Sequence, residues 1–270
     1  MNVQDPWSPF HEVLAHPWEH AQAWKGSSGG KVVGHLLPDV PEEIVHAAAA
    51  LPVAIEGAGV QISRAQTHIP GYTCNHAMGA FDLKLTGHLD VLDGMIIPYV
   101  CDTTRNLFHL WNHCFPDLHN EFLRLPKRVH HPEAEKYLKA EFTRLYEGLC
   151  RITGVDPAPD RLAESIALYN RSRARLREAY QRHLDSPTTW TAAKVHAVLA
   201  SAMRTNREEH LTWMDALLWD DVSIPPYEDK VKLYVRGKTW DPTGILEMLD
   251  HLGFIIVRDV TVTGFRGIEQ

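Results

Sequence analysis

Between Lys31 and Gly59 the sequence alternates between strand-like and helix-like segments, and this alternation restricts the chain to a small number of folds. KVVGHLL is typical of a buried strand, and Pro41-Glu42-Glu43 is typical of a helix start, because proline and acidic residues favour the first turn. IVHAAAAL fills the helix, and PVAIEGAG forms a second strand that ends in glycines. A strand, a helix and a strand joined by short links predict a right-handed parallel unit.

The alternation continues after this unit. The pattern predicts a helix after Cys74, a strand at 95–100, a helix at 104–114 and a short strand at 122–125. We therefore expect a doubly wound parallel-sheet α/β domain over residues 30–157. Residues 1–29 are predicted to be an N-terminal helical and linker segment, in which KGSSGG forms the linker.

The remainder of the chain changes character twice. Residues 158–228 carry apolar side chains at helical spacing and predict a helical middle region. In residues 229–270 the segments KLYVRG, GILEMLDHLG and GFIIVRDV predict a strand, a helix and a strand. One helix cannot cover both faces of a two-stranded parallel sheet. We therefore expect the beginning of a second, incomplete α/β domain, which further chain or a partner completes.

Two of the four cysteines lie where a helix is predicted to begin. Cys74 follows the turn signal Pro70-Gly71, and Cys101 stands between the predicted strand at 95–100 and the helix start Asp102-Thr103-Thr104. Ligands collect at the carboxyl ends of parallel strands, where helix N-termini favour anions and thiolates. These positions predict a metal or redox site. The alternative is a pair of half-buried cysteines that act as small hydrophobic residues.

Other candidate sites have less specific patterns. Cys114 and Cys150 lie inside helical patterns and are predicted to be packing residues. His109 and His113 share one helix face at i,i+4 spacing, but Cys114 points about 100° away from His113, so a zinc site there is the weaker alternative. Glu56-Gly57-Ala58-Gly59 lacks the third glycine of a dinucleotide-binding motif.

Composition excludes several classes of protein. A net charge of −7 provides no electrostatic footprint for nucleic acid or an anionic membrane surface. No apolar run approaches the roughly 20 residues of a membrane span. The N-terminal residues are too polar and acidic for a signal peptide, so we expect a cytoplasmic protein. Four cysteines in 270 residues are too few for a disulfide scaffold.

Three segments together carry a resemblance to a known family. They are KVVGHLLPDVPEEIVHAAAALPVAIEGAG with Cys74 after it, GHLDVLDGMIIPYVCDTTRNLFHLW, and IALYNRSRARLREAY. In combination they resemble the 2-hydroxyacyl-CoA dehydratase and benzoyl-CoA reductase family, and within it most of all the smaller catalytic subunit of ATP-dependent benzoyl-CoA reductases. The resemblance extends from about Trp24 to Arg266.

The resemblance implies a specific chemistry. Members pair two homologous subunits, and each subunit holds a [4Fe-4S] cluster through three cysteines. An ATP-hydrolysing iron–sulfur activator delivers single electrons of very low potential. The carbonyl of the acyl-CoA thioester accepts an electron as a ketyl radical, which permits hydroxyl elimination or reduction of an aromatic ring. By position, Cys74 and Cys101 match the first two cluster ligands.

The chain also departs from the family pattern. Members continue beyond this length and supply the third cysteine from a completed second domain, whereas neither Cys114 nor Cys150 occupies the corresponding place. Asn75-His76 follow Cys74 where many members carry serine and a nearby arginine. A fragment, a split gene or a degenerate subunit would each produce this pattern.

We therefore expect an iron–sulfur subunit that acts on acyl-CoA thioesters. Reduction of the benzoyl-CoA type is the first hypothesis, and 2-hydroxyacyl-CoA dehydration is the alternative. A non-catalytic scaffold subunit of such a complex is a further hypothesis, which the missing third thiol favours. A zinc hydrolase that uses His109 and His113 is the weakest one.

Overall fold

A computed structural model describes residues 5–36, 39–217, 230–237, 244–261 and 263–264 of the chain. The chain forms two compact units. The sheet unit comprises Trp18–Ala167, and the helical unit comprises Met1–Pro17 together with Leu168–Gln270. The elements in chain order are α1 (Ser8–Ala15), α2 (Pro17–Ser28), β1 (Lys31–Leu36), α3 (Glu42–Ala47), β2 (Ala50–Ile55), a 3-10 turn (Ala65–Thr67), α4 (Asn75–Leu85), β3 (Gly94–Pro98), α5 (Asp102–Cys114), β4 (His119–Leu123), α6 (Ala134–Thr153), α7 (Pro159–Asp185), α8 (Ala192–Ala202), α9 (Arg207–Leu217), β5 (Val231–Arg236), α10 (Gly244–His251) and β6 (Phe254–Val260).

The sheet unit is built on four parallel strands in the order β2-β1-β3-β4. From β1 the chain first moves outward to β2, and it then returns to place β3 on the opposite side of β1. The order of the strands therefore reverses between β1 and β3, as in doubly wound sheets. This arrangement confirms the predicted α/β fold class.

Alternating side chains bury both faces of this sheet. On β1, Val32 belongs to the same apolar cluster as Phe81 of α4 and Trp111 of α5. Its neighbour Val33 belongs to a second cluster, which includes Leu145 of α6. Helices α4 and α5 thus cover one face of the sheet, and α3 and α6 cover the other, which provides the two-sided cover that parallel sheets require.

The helical unit contains α1, α8, α9 and the part of α7 from Leu168 onward. Phe10 of α1 is fully buried in a cluster that these helices share. The unit also contains the predicted strand, helix and strand of the last segment. There β5 and β6 pair in parallel with an irregularity between Leu233 and Tyr234, and Leu246 of α10 packs with Ile256 of β6.

Several element boundaries differ from the prediction. Helix α2 extends to Ser28, through most of the segment predicted as a linker, and Gly29 follows it with φ 68°. The last strand of the sheet is β4, not 122–125, because its pairing with β3 runs from Gly94 opposite His119 to Pro98 opposite Leu123. The predicted boundary between residues 228 and 229 lies outside the described residues, and the domain boundaries stay predictions. Among the described helices, none has both the length and the apolar character that a bilayer span requires.

Candidate functional site

The carboxyl edge of the four-stranded sheet is where both candidate cysteines lie. The chain passes from β2 through residues 56–74 into α4, and from β3 through Tyr99, Val100 and Cys101 into α5. In doubly wound sheets, ligands bind outside the carboxyl ends of the strands at the point where the strand order reverses. The end of β3 lies at this reversal. We therefore treat this edge as the candidate functional site.

Cys101 is the N-cap residue of α5 and is exposed to solvent. Thr104 completes a capping box, since its Oγ1 accepts a hydrogen bond from the backbone N–H of Cys101 at 3.2 Å and lies 3.9 Å from Cys101 Sγ. Burial acts to raise the pKa of the Cys101 thiol, but hydrogen bonds from Thr104 and Thr103 outweigh it and lower the pKa below its ordinary value. A thiol in this environment has increased thiolate character, which suits a nucleophile or a metal ligand.

Cys74 is the N-cap residue of α4 and has an extended backbone conformation. Its carbonyl oxygen accepts a hydrogen bond from the backbone N–H of Met78 at 3.1 Å, which closes the first turn of the helix. The side chain is half-buried against the apolar cluster of Phe81 and makes no capping hydrogen bond. Both cysteines therefore stand at helix starts on one edge of the sheet, as predicted, and their role as ligands stays a prediction.

A close approach of two backbone segments fixes the start of α4. The residues Gly57, after β2, and Gly79, in α4, lie so near each other that a Cβ atom on either one would collide with backbone atoms of the opposite segment. The backbone N–H of Gly57 also donates to Nδ1 of His76 at 3.4 Å. Glycine at both positions permits this contact, which holds the Cys74 end of α4 against the strand end.

Asp82 of α4 holds the next part of the same connection. Its Oδ1 accepts backbone N–H groups from Ser63 at 3.0 Å, Arg64 at 2.6 Å and Ala65 at 2.7 Å, and its Oδ2 accepts the hydroxyl of Ser63 at 3.0 Å. Burial acts to raise the pKa of Asp82, but these hydrogen bonds outweigh it and lower the pKa below its ordinary value. This carboxylate caps the 3-10 turn and ties the approach to Cys74 onto the helix that Cys74 begins.

The other candidate sites receive less support from the geometry. Within the described residues, no group of three or more histidine, cysteine, aspartate or glutamate side chains could hold a metal ion. His109 and His113 are exposed on α5, so the zinc hypothesis has no third ligand in that part of the chain. Cys114 is half-buried, and Cys150 is buried, where burial raises the pKa of its thiol.

Sequence reasoning missed a group of aromatic and cationic side chains beside Cys101. Phe108 of α5 stacks on Phe122 of β4 with ring centroids 4.6 Å apart, and Tyr99 lies 5.7 Å from Phe122. Nζ of Lys127 lies 4.1 Å from the centroid of the Tyr99 ring. The sequence shows Tyr99 two residues before Cys101, which places an aromatic ring near this cysteine. That Phe122 and Lys127 surround the ring depends on the register between β3 and β4, which the sequence does not show.

Comparisons with known proteins place this chain in a family. Residues 39–270 match the family model described as 2-hydroxyglutaryl-CoA dehydratase, D-component. The chain is 27% identical over 245 residues to a benzoyl-CoA reductase subunit of Thauera aromatica, which covers 88% of this chain and 64% of that protein. It is 29% identical over 255 residues to lactoyl-CoA dehydratase subunit beta of Anaerotignum propionicum, which covers 93% of this chain and 67% of that protein. It is 28% identical over 253 residues to (R)-2-hydroxyglutaryl-CoA dehydratase subunit beta of Acidaminococcus fermentans, and this match covers 93% of this chain and 66% of that protein. The chain thus spans about two thirds of the length of these relatives.

Proposed function

Because this chain belongs to the 2-hydroxyglutaryl-CoA dehydratase D-component family, we propose that it is an enzyme subunit that acts on acyl-CoA thioesters. The family match over residues 39–270 carries the proposal, since the matched region includes the parallel sheet from β2 onward and both cysteine-headed helices. The relatives support it as well, because each is named as a subunit of an acyl-CoA reductase or dehydratase.

Reduction of an aromatic acyl-CoA, of the benzoyl-CoA type, is the reaction we propose first. Dehydration of a 2-hydroxyacyl-CoA is the alternative. The identities of 27% to the reductase subunit and of 29% and 28% to two dehydratase subunits support both reactions. In either case we propose that the chain works with a second, homologous subunit and an ATP-hydrolysing iron–sulfur activator.

We further propose that Cys74 and Cys101 are two thiolate ligands of a [4Fe-4S] cluster. Their positions at two helix starts favour an anionic group, and the lowered pKa of Cys101 favours the thiolate that ligation requires. The described residues contain no third donor grouped with them, so the remaining ligand comes from outside these residues or from a partner. Such a cluster would supply single electrons of low potential to the thioester carbonyl.

The protein's own residues would prepare this site. Thr104 orients Cys101 through the capping box, and the Gly57–Gly79 contact and Asp82 hold the segment that leads to Cys74. These interactions fix the backbone at both cysteines before any group binds, which is the preorganisation that a ligand site needs.

The absence of a third grouped donor among the described residues also favours a second candidate function. In this alternative the chain is a non-catalytic scaffold that keeps the family fold and pairs with a cysteine-complete homologue. All iron of the complex would then reside in the homologue.

Anaerobic expression with added iron, with and without a co-expressed homologous subunit, tests the cluster proposal. We expect visible absorbance typical of an iron–sulfur cluster and stoichiometric iron in the wild-type chain, and loss of both in Cys74→Ala and Cys101→Ala. Cys114→Ala is the matched control and should keep the iron. A colourless, iron-free chain that none of these substitutions affects would contradict the proposal, and iron confined to the homologue would support the scaffold function.

The substrate is tested on the complex reconstituted with an electron-donating activator and ATP. Consumption of benzoyl-CoA supports the first reaction, and formation of an enoyl-CoA from a 2-hydroxyacyl-CoA supports the alternative. Turnover that requires Cys101 of this chain excludes the scaffold function.

A further inference from the structure

The loop at residues 124–133 begins beside the segment that leads to Cys101. It follows β4, which neighbours β3 in the sheet, so it leaves from the same carboxyl edge. The backbone N–H of Tyr99 donates to the carbonyl oxygen of Leu123 at 2.8 Å, which ties the start of the loop to the residues just before Cys101. The loop therefore borders the candidate site.

Two cations of this loop lack a carboxylate partner. Within the described residues, no acidic oxygen lies in ion-pair distance of Lys127 or Arg128, and both side chains are exposed. Neighbouring cations are compensated, since Arg105 pairs with Asp102 at 3.5 Å and Lys136 pairs with Glu133 at 3.6 Å. In a chain with a net charge of −7, uncompensated cations at this edge would attract an anion locally.

The aromatic group beside Cys101 holds one of these cations in position. Lys127 lies over the face of Tyr99, whose ring is supported by the Phe108–Phe122 stack. A cation–π contact orders a lysine side chain and leaves ammonium hydrogens available for an acceptor. The ammonium group is therefore partly preorganised, which reduces the entropic cost of binding a ligand.

We propose that Lys127 and Arg128 bind the phosphate groups of coenzyme A. This inference rests on the proposed function, which makes the substrate a CoA thioester. Phosphate oxygens are strong acceptors for lysine and arginine. The pantetheine arm of coenzyme A joins these phosphates to the thioester, so one molecule would carry phosphates for the loop and a thioester for the cysteine edge.

Binding of free coenzyme A to the full chain in its complex, measured by isothermal titration calorimetry, tests the proposal. Since an exposed ion pair contributes up to about 1 kcal/mol, we expect Kd to rise roughly threefold to fivefold in Lys127→Ala and in Arg128→Ala, and about tenfold or more in the double variant. Lys136→Ala is the matched control, because it removes one exposed lysine that already has a partner, and its Kd should stay within about twofold of wild type.

Two further variants examine the preorganisation. Tyr99→Phe keeps an aromatic face under Lys127 and should bind coenzyme A like wild type, whereas Tyr99→Leu should weaken binding about threefold. The thermal midpoint of each variant shows whether the fold is intact. Because Lys127 and Arg128 are exposed, their substitution should leave that midpoint unchanged.

The possible failures are distinguishable. If the wild-type complex binds coenzyme A and the double variant binds it equally well, the loop is not the phosphate site and the proposed function is unaffected. If the wild-type complex binds no coenzyme A, both proposals are contradicted. If ATP binds the loop as tightly as coenzyme A and with the same dependence on Lys127, the site is a general polyphosphate site and the assignment to coenzyme A is wrong.

Discussion

Replacement of Asp82 should loosen the connection that leads to Cys74. In Asp82→Ala three backbone N–H groups lose their acceptor, at Ser63, Arg64 and Ala65. Ser63 and Arg64 are exposed, so water can replace the carboxylate there, whereas Ala65 is fully buried. Loss of one buried hydrogen bond to a charged group costs about 1.5–3 kcal/mol, and the two exposed ones add roughly 1 kcal/mol together. We therefore expect a loss of about 3 kcal/mol.

The assay is urea denaturation of the purified chain, supported by hydrogen exchange at residues 63–65. A loss of about 3 kcal/mol corresponds to a decrease in Tm of roughly 6–12 °C for a unit of this size. Asp82→Asn keeps the shape and one acceptor oxygen, so it should cost less, about 1–2 kcal/mol. Asp90→Asn is the matched control, because Asp90 is exposed and makes only a surface ion pair with Lys84, and it should cost less than about 1 kcal/mol.

The effect should depend on pH with a definite sign. Burial acts to raise the pKa of Asp82, but its hydrogen bonds lower it below the ordinary value of 3.8. A carboxyl whose pKa is depressed on folding stabilises the protein above its unfolded pKa, and this stabilisation is lost as the pH falls through the folded pKa. The difference between wild type and Asp82→Asn should therefore be largest above about pH 5 and narrow below pH 3.8. An equal difference at pH 7 and pH 3, or unchanged exchange at 63–65, would refute this account.

Three other substitutions have expected outcomes. Gly79→Ala should cost about 3 kcal/mol or more in urea denaturation, because its Cβ would collide with the backbone of Gly57. Gly26→Ala is the control, because its Cβ meets no atom and alanine favours the helix, so it should be neutral or stabilise by up to about 1 kcal/mol. His183→Ala should cost about 2–5 kcal/mol by the same measurement, since it leaves the buried carbonyl oxygens of Trp190 and Ile256 without their imidazole partner. Thr104→Val should slow the reaction of metal-free Cys101 with iodoacetamide at pH 7. The substitution removes a hydroxyl group that lowers the pKa of the thiol, so less thiolate is present. Thr104→Ser keeps the hydroxyl group and should keep the wild-type rate.

The parallel sheet was predictable from sequence because its signals are local. Each strand is a short apolar run, and helix starts such as Pro41-Glu42-Glu43 are marked by residues within a single turn. The positions of Cys74 and Cys101 at helix starts follow from the same signals. Helix α1 lies within the segment 1–29 that was predicted as helical and linker, and its proline in the first turn is compatible with a helix.

The contacts that complete the site were not predictable, because they join residues distant in sequence. Asp82 looks like an ordinary polar residue within a helical pattern, and its three backbone donors lie 17 to 19 positions earlier in the chain. Lys127 lies over Tyr99 only because β3 pairs with β4. The predicted strand at 122–125 begins three residues after the observed start of β4 at His119. A pattern within one element does not specify such a register.

The four cysteines of the chain fall into different physical classes, and this difference bears on the choice between ligand and packing residue. Cys150 is buried, and burial raises the pKa of its thiol, as expected for a small hydrophobic side chain in a core. Cys101 is exposed and has a lowered pKa, so the packing interpretation that suits Cys150 does not suit it. Cys74 shares the helix-start position of Cys101 and is only partly covered. If packing alone accounted for Cys101, it should resemble Cys150. It does not, and Lys127, which lies over the ring of Tyr99 two residues before Cys101, adds a cation to an edge where helix N-termini already favour an anion.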